Sequence, residues 1–338
     1  MKSLPLVLCL ILSGCDSSLP GYVVKQGFRH GSLLLKAQPI DEILKNPALD
    51  PKTEHYLKLS KEVLAYAQRN LGMRVGANYR QYIPLNRDWV TQIVMAAKKD
   101  SLTPHLFSYP IVGDLPYRGF YDEADAEKLE AKLASEGFDV FRRKVEAFST
   151  TGWLPDPVIS TMFSDESRFV ELLFHELTHS TFYFADQADF NEAFASWMGF
   201  KASLEFVKSA KSSVNTNLTK IETELTRGHE FQIRFASVIK EILEEGRKVY
   251  ARPNPTEQRE PYFAWIKTRL SKEPFGAAMD EKQWNNALIL SLGTYYETVP
   301  AIERYAAKHK LSPREFLAKV AQTGSSIVPE ILAEGAKP

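Results

Sequence analysis

The sequence predicts an α+β protein, in which a small, mostly antiparallel sheet is followed by an almost wholly helical half. Three observations carry this expectation. Between Tyr79 and Phe148, β-branched and aromatic residues run between turn signals. After Ser164, apolar residues recur at helical spacing nearly to the end of the chain. The composition, 44% hydrophobic and 25% charged over 338 residues, is that of a folded chain, which sets aside disorder and coiled-coil rods.

Taken in order, Tyr22 to Ala37 reads as a helix weakened by Gly27 and Gly31. Lys52 to Leu71 is a clearer helix, with Tyr56, Leu59, Val63, Leu64, Ala67 and Leu71 on one stripe and Gly72 as its stop. Trp89 to Ala96, His105 to Val112, Tyr117 to Tyr121 and Val140 to Phe148 read as strands, interrupted by a helix from Glu123 to Glu136 that ends at Gly137. The helical half comprises Asp165 to Tyr183, Phe190 to about Ser209, Asn217 to Tyr250, Glu260 to Leu270, Trp284 to His309 and Pro313 to Gln322. The turn Pro253-Asn254-Pro255 closes the longest of these helices. No linker divides the chain, so residues 22–338 are expected to form a single composite unit. Its sheet-containing part covers about 22–160 and its helical part about 161–335.

Lysine plus arginine and aspartate plus glutamate balance at 42 each, leaving no net field to hold a nucleic acid backbone. No nucleic acid partner is expected. The two cysteines, Cys9 and Cys15, are too few and too close to the start for a disulfide scaffold or a thiolate metal site. Around them, Lys2, the apolar run from Leu4 to Leu12 and the small residues Ser13 and Gly14 form an export signal over residues 1–14. The order Leu12-Ser13-Gly14-Cys15 resembles the lipobox of bacterial lipoproteins, which implies a lipid on Cys15 and a lipidated tether over residues 15–21. An ordinary secretory signal is the alternative. Asp16 resembles the signal that retains such lipoproteins in the inner membrane, so the expected location is the periplasm-facing cell envelope. With Cys9 discarded and Cys15 acylated, a metal site has to be sought among histidines and carboxylates.

Such a site is present in Phe174-His175-Glu176-Leu177-Thr178-His179. Histidines four apart lie one above the other on a helix and can share one ion about 2 Å from each. Glu176, turned aside from both, is placed to take a proton from a water held by the metal. A tetrahedral catalytic zinc needs a third protein ligand and one open position. Glu192, in Asn191-Glu192-Ala193-Phe194-Ala195 at the start of the next helix, supplies it, since a helix holds a ligand rigidly and Ala193 and Ala195 permit close packing. Asp186 and Asp189 in the intervening loop compete for that role, and Glu171 is either a partner behind His175 or an exposed acid.

These residues resemble the gluzincin metallopeptidases. More closely, the chain resembles a family of bacterial lipoproteins described as aminopeptidases, through Val112-Gly113 with Pro116-Tyr117-Arg118-Gly119, Ala147 to Trp153 with Asp156-Pro157, Phe174 to His179, Phe190-Asn191-Glu192, and Asn285-Asn286-Ala287 with Tyr295 and Val299-Pro300. Phe148 and Thr151 depart from that pattern, where tyrosine and leucine are common. The resemblance implies a zincin-like fold, one Zn²⁺ ion held by His175, His179 and Glu192, and a peptide or protein substrate. It also implies an oxyanion donor, with Tyr295 the first candidate and Tyr117 and Arg118 the others; Tyr117 and Arg118 are also candidates for binding substrate, and Arg118 could equally bind a substrate carboxylate or a structural acid. In zincins the strand ahead of the metal helix lies at the cleft, so Ser149, Thr150 and Gly152 become candidates for binding a substrate strand; a simple turn is the other reading of these small residues.

The remaining histidines show no ligand spacing, and Arg142-Arg143-Lys144 and Glu241 to Glu245 read as solvated faces. The function expected is zinc-dependent peptide hydrolysis, first of all as an aminopeptidase. A zinc endopeptidase acting on envelope proteins and a non-catalytic zinc-containing lipoprotein are the alternatives.

Overall fold

The computed structural model describes residues 19–109, 113–147, 155–209, 218–280 and 283–335. The chain opens with α1 (Leu19–Leu34), followed by β1 (Gln38–Pro39), α2 (Ile40–Ile43) and α3 (Pro51–Tyr66). Asp50 caps α3 by accepting from Thr53 N, and Ala67–Leu71 add a wider π turn before Gly72, whose φ of +73° ends the helix where a Cβ would be strained. After β2 (Gln81–Ile83) come β3 (Thr91–Ala97), the short hairpin β4 (Phe107–Tyr109) and β5 (Gly113–Leu115), β6 (Tyr117–Phe120), α4 (Glu123–Ser135), β7 (Asp139–Val145) and β8 (Val158–Ile159). The helical half runs α5 (Glu166–Thr181), α6 (Ala188–Ser209), α7 (Leu218–Tyr250), α8 (Arg259–Leu270), α9 (Gly276–Asp280), α10 (Asn286–Tyr296), α11 (Val299–His309), α12 (Pro313–Thr323) and α13 (Ile327–Gly335). Among the described residues no helix is long and apolar enough to cross a membrane.

The strands form small sheets, with orders β6-β3-β7, β1-β2-β8 and β4-β5. All pairs are antiparallel except β2 with β8. Of the expected strand from His105 to Val112, Phe107–Tyr109 form β4, paired antiparallel with β5, while residues 110–112 lie outside the described residues. The expected helix from Trp284 to His309 is two helices. Pro300 sits in the first turn of α11, where its missing N–H is harmless, and its ring excludes a continuous helix through the preceding turn. A separate cap, Asn285 accepting from Leu288 N, starts α10.

The register of β6-β3-β7 decides what faces the site. Residues directly opposite share a face, so Ile93, Gly119 and Arg143 stand on one side together with Met95, Tyr117 and Phe141. Val94, Arg118 and Arg142 stand on the other, where Val94, Ala96 and Phe120 pack against Ala126 and Leu133 of α4. The first face looks toward α5, α6 and α10. Behind it the largest apolar core joins both halves of the sequence, from Leu57 and Ile83 through Phe169, Leu173 and Leu177 to Trp197 and Phe316. Each large side chain fully buried there contributes about 1.5–3 kcal/mol relative to exposure.

Candidate metal centre

α5 starts at Asp165, whose carboxylate accepts from Arg168 N at 2.8 Å. Phe169, Val170, Leu173, Phe174 and Leu177 are completely buried, which fixes the rotation of the helix and turns His175, Glu176 and His179 toward a cleft of about 830 Å³. α6 returns alongside. Asn191, 1% exposed, accepts from Phe184 N at 3.1 Å and donates to Phe184 O at 2.7 Å, tying the inter-helix loop to the first turn of α6. This pair of hydrogen bonds places the next residue, Glu192, opposite the histidines.

Two turns later Gly199 lets the helices touch: a Cβ there would stand 2.9 Å from Glu171 O and 3.3 Å from the His175 Cβ.

His175, His179 and Glu192 therefore converge, and together they could hold a metal ion. The two imidazole Nε2 atoms are 3.2 Å apart, and Glu192 Oε2 lies 3.5 Å from His175 Nε2 and 3.7 Å from His179 Nε2. A tetrahedral ion with bonds near 2.05 Å separates its ligands by about 3.3 Å, so the triangle fits such an ion with small adjustments. Two nitrogens and one carboxylate would supply three of the four ligands that a tetrahedral zinc takes, and all three residues line the cleft. Glu176 is outside this triangle and 7% exposed.

The electrostatics follow from burial and from the cluster's own charges. Burial opposes ionisation of Glu192, yet the adjacent His179 and His175 hold its carboxyl well below the ordinary range. Burial, reinforced by the negative charges of Glu192 and Asp156 against the pull of His179, pushes Glu176 up to about 8. For His175 burial prevails and lowers its pKa, whereas for His179 burial is outweighed by Glu192 and the value rises.

Phenols surround the carboxylate. Burial, then the charge of Glu192, raises the pKa of Tyr117, Tyr183 and Tyr295, that of Tyr183 to about 12. These hydroxyls therefore stay protonated and able to donate near neutral pH. The Arg143 guanidinium lies over the Tyr295 ring, 4.6 Å from its centroid, and its Nε has no hydrogen-bond partner among the described residues. Tyr117, Tyr183, Tyr295 and Arg143 all line the cleft.

The structure separates two neighbours in sequence. Tyr117 faces the cleft, but Arg118 is on the opposite face of the sheet, stacked 4.6 Å from the ring of Phe107 and 4.8 Å from that of Tyr22, with Nε directed to the Tyr109 hydroxyl at 3.4 Å. Arg118 is therefore not brought to the site, because a strand cannot point adjacent side chains the same way. The reading of Arg142-Arg143-Lys144 as a solvated face is corrected for the same reason. Arg142 pairs with Glu130 of α4 at 2.6 Å while Arg143 enters the cleft.

Asp186 is exposed and accepts from Asp114 N at 2.8 Å, away from the ligand triangle. Asp189 does not join the triangle either. Glu171 lines the cleft, with its carboxyl pushed up by burial. Ser149, Thr150, Gly152 and Cys15 lie outside the described residues. The strand leading to the first three does border the cleft. Lys144 and Val145 at the end of β7 line it, as do Glu146 and Ala147 just beyond the strand. The other side of β7 pairs with no strand among the described residues.

Arg143 and Tyr183 were not singled out by sequence reasoning. The signal for Tyr183 was its position four residues beyond His179; that for Arg143 was its even spacing from Phe141 and Val145.

A protein-family model described as "Putative aminopeptidase" matches residues 21–328 of this chain. No curated protein and no solved structure matches it.

Proposed function

We propose, because the chain belongs to the family described as putative aminopeptidase, that it hydrolyses peptides with one zinc ion held by His175, His179 and Glu192. The observation that carries this reading is the ligand triangle with the buried acid Glu176 beside it. A purely structural zinc site ordinarily has four protein ligands and no use for such an acid. A His-Glu-x-x-His helix followed by a helix bearing a glutamate supports the gluzincin reading that the sequence resemblance implies.

When bound, zinc polarises the scissile carbonyl and makes an attacking water acidic near neutral pH. Glu176 takes the proton of that water and passes it to the departing amine. The Tyr295 hydroxyl donates toward the carbonyl oxygen as its charge grows, and Arg143, stacked on the phenol, adds positive charge at the same place. The outer edge of β7 around Lys144, which pairs with no strand among the described residues, offers backbone groups to an extended peptide, which would set the scissile bond in front of the ligand triangle. Glu171 on the cleft wall is the carboxylate suited to receive a free amino terminus, Glu146 being paired with Arg168 at 3.4 Å, which favours an aminopeptidase. The Leu12-Ser13-Gly14-Cys15 order supports export and lipid anchoring at Cys15 in the bacterial envelope, with inner-membrane retention suggested by Asp16.

The deciding experiment is metal analysis of the purified protein with peptide hydrolysis before and after chelation, using free and N-acetylated peptides. About one zinc per chain, loss of activity on chelation and loss of the acetylated substrates are expected. Protein without metal and indifferent to chelator would overturn the zinc reading, and equal cleavage of acetylated peptides would make the enzyme an endopeptidase.

The oxyanion role has its own expected result. Tyr295→Phe should lower kcat by about 10²–10³-fold with KM and zinc content little changed, as for loss of one donor to the developing charge. A change in KM alone would reduce Tyr295 to a binding residue.

A further inference from the structure

α1 carries an apolar stripe that no other part of the described structure covers. Val24 is 70% exposed, Phe28 73% and Leu35, in the turn that closes the helix, 89%. Their spacing of four and seven residues puts them on one line. The opposite side of the helix is the one that packs, through the Tyr22 hydroxyl donating to Gly119 O at 2.7 Å, Tyr121 N donating to Gln26 at 3.1 Å, and buried Leu33. Between the stripe and the packed side of the helix is a second cavity, of about 350 Å³, lined by Arg29, Lys36 and Arg87, with Asp122, its one acid, paired to Arg29 at 3.4 Å. Arg87 is held in place by stacking 3.8 Å from the Trp89 ring centroid and by donating to Tyr121 O and Val90 O.

We infer that α1 lies along a membrane surface containing anionic phospholipid, with Val24, Phe28 and Leu35 at the headgroup–acyl boundary and the cavity of Arg29, Lys36 and Arg87 receiving a headgroup phosphate. An apolar line flanked by cations is the pattern of interfacial helices. The occupant is a bilayer because of where the helix begins. Leu19 is four residues after Cys15, and four extended residues reach at most about 14 Å, so a lipid on Cys15 holds the start of α1 at the surface. A second copy on this face would bring two such cationic cavities into one interface. Only the tether length rests on the lipid-anchor reading; the stripe and the cavity do not.

The test uses the mature protein reconstituted in vesicles of phosphatidylethanolamine and phosphatidylglycerol, with a bimane label at Phe28→Cys or, as control, at exposed Gln68→Cys. The label at 28 should shift to the blue, be quenched by nitroxide lipids about 5–10 Å deep, and lose iodide accessibility about threefold relative to position 68. Lys36→Glu with Arg87→Glu should weaken the shift. Equal iodide accessibility at the two positions would overturn the inference, as would protection at 28 without vesicles, accompanied by cross-linked dimers. Failure of the anchor reading is separately visible: no palmitate would be incorporated at Cys15, while the label would still shift when vesicles are added.

Discussion

Glu176→Gln is expected to leave the metal in place and to lower kcat by about 10²–10⁴-fold, the usual contribution of a general acid–base group. The amide has the shape of the carboxylate, so the nearly buried position is refilled without a cavity. Glutamine cannot accept the proton. His175, His179 and Glu192 keep their mutual distances because none of them depends on Glu176 for ligand geometry. Metal content by elemental analysis, the thermal midpoint and single-turnover peptide hydrolysis together test this. A variant with normal metal and normal turnover would remove Glu176 from the chemistry, whereas loss of metal would show that it braces the ligands.

Gly199→Ala should destabilise the protein and weaken metal binding together. Alanine is ordinarily better than glycine inside a helix by about 1 kcal/mol, so an open position would give a more stable protein. Here the added Cβ would meet a backbone carbonyl of α5 at 2.9 Å and the Cβ of a ligand at 3.3 Å. α6 has to move outward by a few tenths of an ångström, at an overpacking cost of about 1–3 kcal/mol. Because Glu192 is two turns away on the same helix, the shift also opens the ligand triangle. Calorimetry and competition with a chelator give the two readouts. A raised melting temperature would mean that the helices do not meet at Gly199.

The part of this molecule most open to sequence reasoning is the part governed by local rules. Two histidines four apart on an amphipathic helix, a glutamate early in the next helix and the glycine stops at Gly72 and Gly137 depend only on helical periodicity and backbone sterics, and the structure brings the first three residues together. The two-residue strands β1 and β8 and the three-residue β2 are too short to show alternation, so the sheet they form was not foreseen. The break before α11 turns on a single proline whose effect was overridden by the apolar run around it.

Arg143 was hidden for a different reason. In Arg142-Arg143-Lys144 the residue types are uniform, and only the pairing of β7 with β3 reveals that one arginine serves the acids of α4 while the next stacks on Tyr295. Alternation along the strand was knowable, but which phase faces the cleft was a tertiary fact. The same uncertainty of phase kept Tyr117 and Arg118 together as candidates until the register separated them.

All three side chains that could hold a metal come from one short helical hairpin, between His175 and Glu192, whose turn is already tied by Asn191. Closing so small a loop costs little chain entropy. The other groups lining the cleft, by contrast, arrive from far along the chain: Tyr117 and Arg143 from the sheet and Tyr295 from α10. Ion capture and catalytic competence are thus separable stages of maturation. On the proposed zinc reading, a chain can sequester an ion as soon as the hairpin forms and remain inert until the sheet and α10 dock across it, so metal loading should precede peptide hydrolysis during refolding.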